Sequence, residues 1–310
     1  MTRARFGYGI LTMVFIIYSE RYYCDIGAHV FPTEKSRLIY ERLRQEGILE
    51  KDTVEVVEPI PPTHEDLARV HNERYLEDAL NARMTPATFS SELPVERAVI
   101  DAFLLSTGGT LVAAECAMDS GRAINLAGGY HHAFADHAEG FCFFNDVAIA
   151  SRKMLAEKKV SRVAVVDCDL HQGNGTAHIF KNDPNVFTFS IHQERNYPIK
   201  QQSDLDIGLD DGVGDEEYLA ELARALERIE SGFRPDFVFY LAGADPFKED
   251  QLGALELTHE GFRRRDDLVV GRFCGANIPV CIVLAGGYSR DVQDTVKIHY
   301  NTCVRLIEPD

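Results

Sequence analysis

Short apolar runs punctuate this chain: Met13–Tyr18, Val54–Val57, Ala123–Leu126, Val163–Val166, Val186–Ser190, Phe237–Leu241 and Val280–Leu284. Most are rich in Val, Ile or Phe and lack polar alternation, the pattern of strands covered on both faces, as in a parallel sheet. Longer amphipathic stretches lie between them. Ser36–Glu46, Val95–Asp119, Asp146–Lys158, Asp215–Ile229, His259–Cys274 and Arg290–Ile307 predict helices. Strands alternating with helices imply an open α/β sheet with helices on its faces. No low-complexity linker, repeat or long charge block breaks the pattern, so one domain over residues 13–310 is expected.

The start of the chain needs separate treatment. Arg3 and Arg5 precede an apolar run from Tyr8 to Tyr18, superficially a signal peptide. The run is too short to span a bilayer. Ser19, Glu20 and Arg21 follow where a small-residue cleavage site would stand. The run's second half reads as the first buried strand, and residues 1–12 as an extension outside the fold.

Composition narrows the partners. The 310 residues carry a formal net charge of −17, which argues against nonspecific binding to nucleic acid or an anionic membrane. The same charge suits a cationic substrate, although acidity also serves solubility alone. Seven cysteines without a CxxC pair read as a reduced, intracellular protein, and a cytoplasmic location is expected. Cys142 and Cys168 read as small packing residues.

The unusual polar residues all follow strands. Gly128-Gly129-Tyr130-His131-His132, Asp167-Cys168-Asp169-Leu170-His171, Ser190-Ile191-His192, Gly243-Ala244-Asp245 and Gly286-Gly287-Tyr288 each sit at the end of an apolar run. Open α/β sheets bind ligands outside the carboxyl ends of their strands, so these groups should converge. In extended chain, residues two apart point the same way, which aims Asp169 and His171 at one spot. A carboxylate and an imidazole suit a divalent metal such as zinc, and Asp245 supplies a third ligand from another strand end. Three protein ligands leave a position open, the catalytic pattern. Iron(II) or cobalt(II) fits the same donors. Aspartates in such places also cap helices, and Tyr288 taken alone reads as packing. Paired histidines after two glycines and a tyrosine are poor core material and suit proton transfer.

These motifs, with Gly140-Phe141-Cys142 and the continuation His171-Gln172-Gly173-Asn174-Gly175, resemble the histone deacetylase superfamily over nearly the whole chain. Gly108-Gly109-Thr110, Leu252-Gly253 and Glu260-Gly261 resemble its class IV branch. The resemblance implies the arginase/deacetylase fold, α/β with a parallel sheet of about eight strands. It implies zinc on Asp169, His171 and Asp245. It makes His132 the general base and then acid, His131 its electrostatic partner, Asp167 the orienter of His131, and Tyr288 the carbonyl polariser. Gly140 and Phe141 would line an acyl-lysine tunnel, with Tyr197 on the opposite wall. A structural potassium ion is implied near Asp167, Asp169, His171, Ser190 and Ile191. Asn174 stands where some members carry aspartate, which should leave His132 less basic.

The expected activity is metal-dependent hydrolysis of an acyl-lysine amide in a protein or peptide, with acylated polyamine as the alternative substrate. A non-catalytic acyl-lysine reader is a further alternative, though the ligands, histidines and tyrosine are all present. A binuclear ureohydrolase of the same fold would need a second ligand set, which the spacing does not supply. Oligomeric state is not legible in these residues.

Overall fold

The computed structural model describes residues 13–308; the extension expected over residues 1–12 lies outside the described residues. The strands are β1 (Val14–Ile17), β2 (Val54–Val57), β3 (Arg122–Asn125), β4 (Val163–Asp167), β5 (Val186–Gln193), β6 (Leu205–Leu209), β7 (Phe237–Leu241) and β8 (Val280–Val283). They form one eight-stranded sheet in the order β2-β1-β3-β8-β7-β4-β5-β6, parallel throughout.

The helices are α1 (Lys35–Gln45), α2 (His64–Ala68), α3 (Glu73–Leu80), α4 (Pro86–Phe89), α5 (Arg97–Ser120), α6 (Asp146–Ala156), α7 (Asn174–Phe180), α8 (Asp215–Arg228), α9 (His259–Gly275) and α10 (Val292–Ile307). Both sheet faces are buried, which is why the central strands show no polar alternation. Ala164, Val166, Val238 and Tyr240 face a core completed by α1, α8, α9 and α10. Val163, Val165, Phe237 and Phe239 face a second core completed by α3, α5 and α6. Helix α5 has the length and composition to cross a membrane, but 72% of that window is buried, as in a core helix.

Two expectations at the sheet edges need correction. The run Val54–Val57, grouped with the apolar strands, has Glu55 and Val56 exposed, because β2 is an edge strand with no neighbour beyond it among the described residues. Strand β6 at the opposite edge is missing from the apolar runs. Its alternating exposure and its Asp206 and Gly208 carry too weak an apolar signal.

The strand order places the site. The chain lays down β2, β1 and β3, jumps to build β4, β5 and β6, and returns to fill the gap with β7 and β8. The carboxyl ends of β3, β8, β7, β4 and β5 are therefore neighbours, a topological switch point where ligands bind.

Candidate active site

Beyond β4 the chain bends at residues 169–171, yet the alternation of the strand carries through them. Cys168 and Leu170 turn into the core. Asp167, Asp169 and His171 turn the other way, all buried. The local backbone is held by the site's own carboxylates. Asp245 Oδ1 accepts from Leu170 N (2.9 Å), Asp169 Oδ1 from His171 N (3.0 Å) and Asp167 Oδ1 from Asp169 N (3.1 Å).

Asp169, His171 and Asp245 bring their ligand atoms within 4.8 Å of one another, the only such group of His, Cys, Asp and Glu among the described residues. His171 Nδ1 lies 3.1 Å from Asp245 Oδ2 and 3.3 Å from Asp169 Oδ1. Burial, then the charge of Asp169, pushes the Asp245 carboxyl up to about 7. Burial opposes a charge on His171, but the two carboxylates outweigh it and raise the imidazole to about 10. Two carboxylates in water-free surroundings demand a positive partner, and a divalent cation among these three donors meets that demand. The donor set therefore fits a metal.

Two glycines make room for this. A Cβ at Gly286 would sit 2.3 Å from Asp245 Oδ2 and 2.6 Å from Asp169 Oδ2, and the Gly286 amide donates to Asp169 Oδ2 (2.8 Å). Gly129 has φ +84°, and a Cβ there would lie 2.7 Å from the Cβ of Ala285. Any side chain at either position would push apart the loops after β3, β7 and β8.

The paired histidines are set by residues outside the sequence motifs. Asp146, at the start of α6, accepts from Gly129 N (2.9 Å), Tyr130 N (2.8 Å) and Thr110 Oγ1 (2.6 Å). Asn145 caps the same helix and donates from Nδ2 to Ala133 O (3.1 Å). The loop between them presents His131 and His132 with their Nε2 atoms 3.1 Å apart. His131 Nδ1 lies 2.7 Å from Asp167 Oδ2, and His132 Nδ1 lies 2.8 Å from Asn174 Oδ1. Burial works against a charged His131, but Asp167 and Asp169 outweigh it and hold the imidazole up at about 9. His132 goes the other way. Burial, then His131 and His171, pushes it well below its ordinary value, with Asn174 pulling weakly upward. The surroundings thus favour charge on His131 and oppose it on His132.

Tyr288 completes the ring of groups. Its ring is buried between Phe141 (centroids 5.8 Å apart) and His171 (6.4 Å). Its backbone N donates to Asp250 Oδ2 (2.7 Å). Burial, then Asp169 and Asp245, pushes the phenol well above its ordinary value, so the hydroxyl keeps its proton to donate.

A cleft of about 270 Å³ opens outward from these residues, lined by Glu92, His132, Gly140, Phe141, Tyr197 and Tyr288 among others. Gly140, Phe141 and Tyr197, which the resemblance implies as tunnel walls, all line this cleft. Tyr197 packs its ring edge against His132 (centroids 5.2 Å apart). A second, narrower space of about 40 Å³ adjoins the cleft, sharing His132, Gly140, Phe141 and Tyr288 and bounded also by Phe31, Lys35, Phe103 and Asp169. Lys35 is buried there and bonded to Ala285 O, and burial lowers its ammonium to about 8 against the pull of Asp245 and Asp169.

Of the residues expected near a potassium ion, Asp167 and Ser190 are ladder partners on β4 and β5. The Ser190 hydroxyl is paired with His192 Nδ1 (2.9 Å). Cys142 and Cys168 are buried thiols raised by burial, consistent with packing. Sequence reasoning misses Glu92, Asp146 and Asp250. Asn145-Asp146 ahead of a helix is the one available signal, a cap signature. Glu92 and Asp250 have none.

The Histone deacetylase domain profile matches residues 29–303. An uncharacterized protein of Picosynechococcus is 41% identical over 287 residues, covering 92% of this chain and 95% of its own. Histone deacetylase 2 of Arabidopsis thaliana is 33% identical, covering 93% of this chain and 79% of its own. The crystal structure of the HDA15 HD domain superposes with a TM-score of 0.80 at 23% identity, covering 97% of this chain and 90% of that one, so the fold is shared. With a family profile spanning most of its length and these relatives along it, the chain belongs to the histone deacetylase family, deacetylases that hydrolyse amides.

Proposed function

We propose that this chain removes a short acyl group from a lysine side chain, using one zinc ion held by Asp169, His171 and Asp245. The observation that carries the proposal is the convergence of the buried Asp-His-Asp group, the paired histidines with Nε2 atoms 3.1 Å apart and the buried Tyr288 on one cleft. When bound, the metal supplies Lewis acidity toward the amide carbonyl and an acidified water.

The chain's own residues do the rest. His132 takes the proton from the attacking water at Nε2, while its Nδ1 stays hydrogen-bonded to Asn174 Oδ1. Asp167 keeps His131 charged and oriented. The Tyr288 hydroxyl donates to the oxyanion as charge develops. His132 then returns the proton to the leaving amine. Phe141 and Tyr197 bound the cleft and keep water from the acyl-lysine stem. A potassium ion beside Asp167, Asp169, His171, Ser190 and Ile191 is proposed as a structural support for β4 and β5.

Size and charge bear on the substrate. The narrow space of about 40 Å³ beside the cleft compares with roughly 10–15 Å³ for a single water. That accommodates an acetyl or similarly short group. The narrowness of this space favours the short reading over longer chains. Glu92 at the mouth and the net charge of −17 suit a cationic peptide. An acylated polyamine presents the same charge. Hydrolysis of an acyl-length series on one lysine peptide, run beside acetylated polyamines, tests the proposal. Rates should be highest at acetyl and fall with length; a preference for long chains would overturn the short-acyl reading.

A further inference from the structure

Asn174 has to agree with the histidine pair, whose Nε2 atoms lie 3.1 Å apart, so that one must donate and the other accept. The two ends of an amide have nearly the same shape but opposite hydrogen-bonding roles. With Oδ1 toward His132 Nδ1, that nitrogen carries the proton and Nε2 holds the lone pair facing the site. With the amide turned over, Nδ2 would donate to His132 Nδ1, the proton would sit on Nε2, and the base would be lost. Packing around Asn174 does not choose between these.

Glu139 does. Asn174 Nδ2 donates to Glu139 Oε1 (2.7 Å), while Asn174 Oδ1 lies 2.8 Å from His132 Nδ1. A carboxylate only accepts, so the end of the amide that meets Glu139 has to be Nδ2. The same Oε1 accepts from the Tyr197 hydroxyl (3.1 Å), the ring packed against His132. Glu139 itself is held by a tight turn. Glu139 N donates to Cys142 O (3.1 Å) and Cys142 N to Glu139 O (2.9 Å), across Gly140 (φ +49°) and Phe141 (φ +64°). A left-handed phenylalanine is strained, and here that strain places one ring in the cleft and one carboxylate behind the dyad.

We propose that Glu139 is a positioning residue for the histidine pair: its carboxylate fixes the Asn174 amide, and through it which His132 nitrogen bears the proton. The inference rests on the deacylase reading only for its effect on rate. Asn174→Asp alone would set two carboxylates against each other where Nδ2 now meets Oε1. Combining it with Glu139→Gln would restore a donor and an acceptor in reversed order, the introduced amide donating to the introduced carboxylate.

The first arm is long-range ¹H–¹⁵N correlation of zinc-loaded, ¹⁵N-histidine-labelled protein. His132 should show protonated Nδ1 in the wild type and a mixture of tautomers in Glu139→Ala, with Glu139→Gln between them. The second arm is steady-state kinetics on acetyl-lysine peptide. Glu139→Ala should lower kcat on the order of tenfold, the lower range for residues behind a metal site, with little change in KM. The Glu139→Gln/Asn174→Asp double variant should outpace Asn174→Asp alone. A wild-type tautomer in Glu139→Ala, or double-variant losses that simply multiply, would overturn the proposal. A wild-type protein that hydrolyses no acyl amide would sink the deacylase reading, and the His132 tautomer would still decide the role of Glu139.

Discussion

Replacing Tyr288 by phenylalanine removes one hydroxyl from the site and almost nothing else. The ring is only 7% exposed, and its contacts with Phe31, Phe141 and His171 need no oxygen. The backbone stays anchored, because Asp250 accepts from the Tyr288 main-chain N. The hydroxyl is protonated at any working pH, since burial and two carboxylates push the phenol far up, so its one role toward substrate is to donate. A single donor to a developing oxyanion accounts for about 2.7–4 kcal/mol, or on the order of a hundred- to a thousandfold in kcat. Ground-state binding should change far less, because the bond strengthens as the oxyanion forms. The assay is steady-state hydrolysis of an acetyl-lysine peptide, with zinc content and melting temperature measured on the same preparation. A Tyr288→Phe protein with intact zinc and wild-type kcat would refute the assigned role.

Asp245→Asn keeps the shape and deletes a charge that burial and Asp169 make unfavourable without metal. Zinc occupancy should drop sharply while the melting temperature of the metal-free protein holds or rises; unchanged occupancy would mean the third ligand lies elsewhere. For pH, the base must be neutral, and His132 is held below its ordinary 6.5, so kcat/KM should climb through an acidic limb below that value. His131 must stay charged, and its value of about 9 places the alkaline limb there, with activity lost as pH rises through it. Asp167→Asn removes the largest force holding His131 charged, so the alkaline limb should move to lower pH; a limb that stays put would separate it from the histidine pair.

The parts of this molecule legible in its sequence are those written in local pattern. Val163–Val166 and Phe237–Leu241 are apolar at every position because both faces are covered, and that announces central parallel strands. Asp169 and His171 share a direction because extended chain repeats every two residues. The edge strand Leu205–Leu209 lacks such a signature, since only part of it is buried. The groups behind the site are silent for a different reason. Asp250 meets Tyr288 across 38 residues, and Glu139 meets Asn174 across 35. A surface-type acidic residue in a loop looks the same in sequence whether or not the fold carries it to a buried partner. The short helices α2 and α4 are too brief for periodicity to show. The narrow space behind the short-acyl proposal is a property of packed side chains from several loops, invisible to any one of them.

A metal held by Asp169, His171 and Asp245 is the centre of the proposed chemistry, and measuring metal and rate together tests it most directly. Purified protein should contain about one divalent ion per chain, from the three-ligand group. Removing it with a chelator should abolish hydrolysis of acetyl-lysine peptide, and stoichiometric zinc should restore it. Because protons compete for His171, raised to about 10 without metal, zinc affinity should weaken as pH falls. Full hydrolysis by a sample verified as metal-free would contradict the account at its centre.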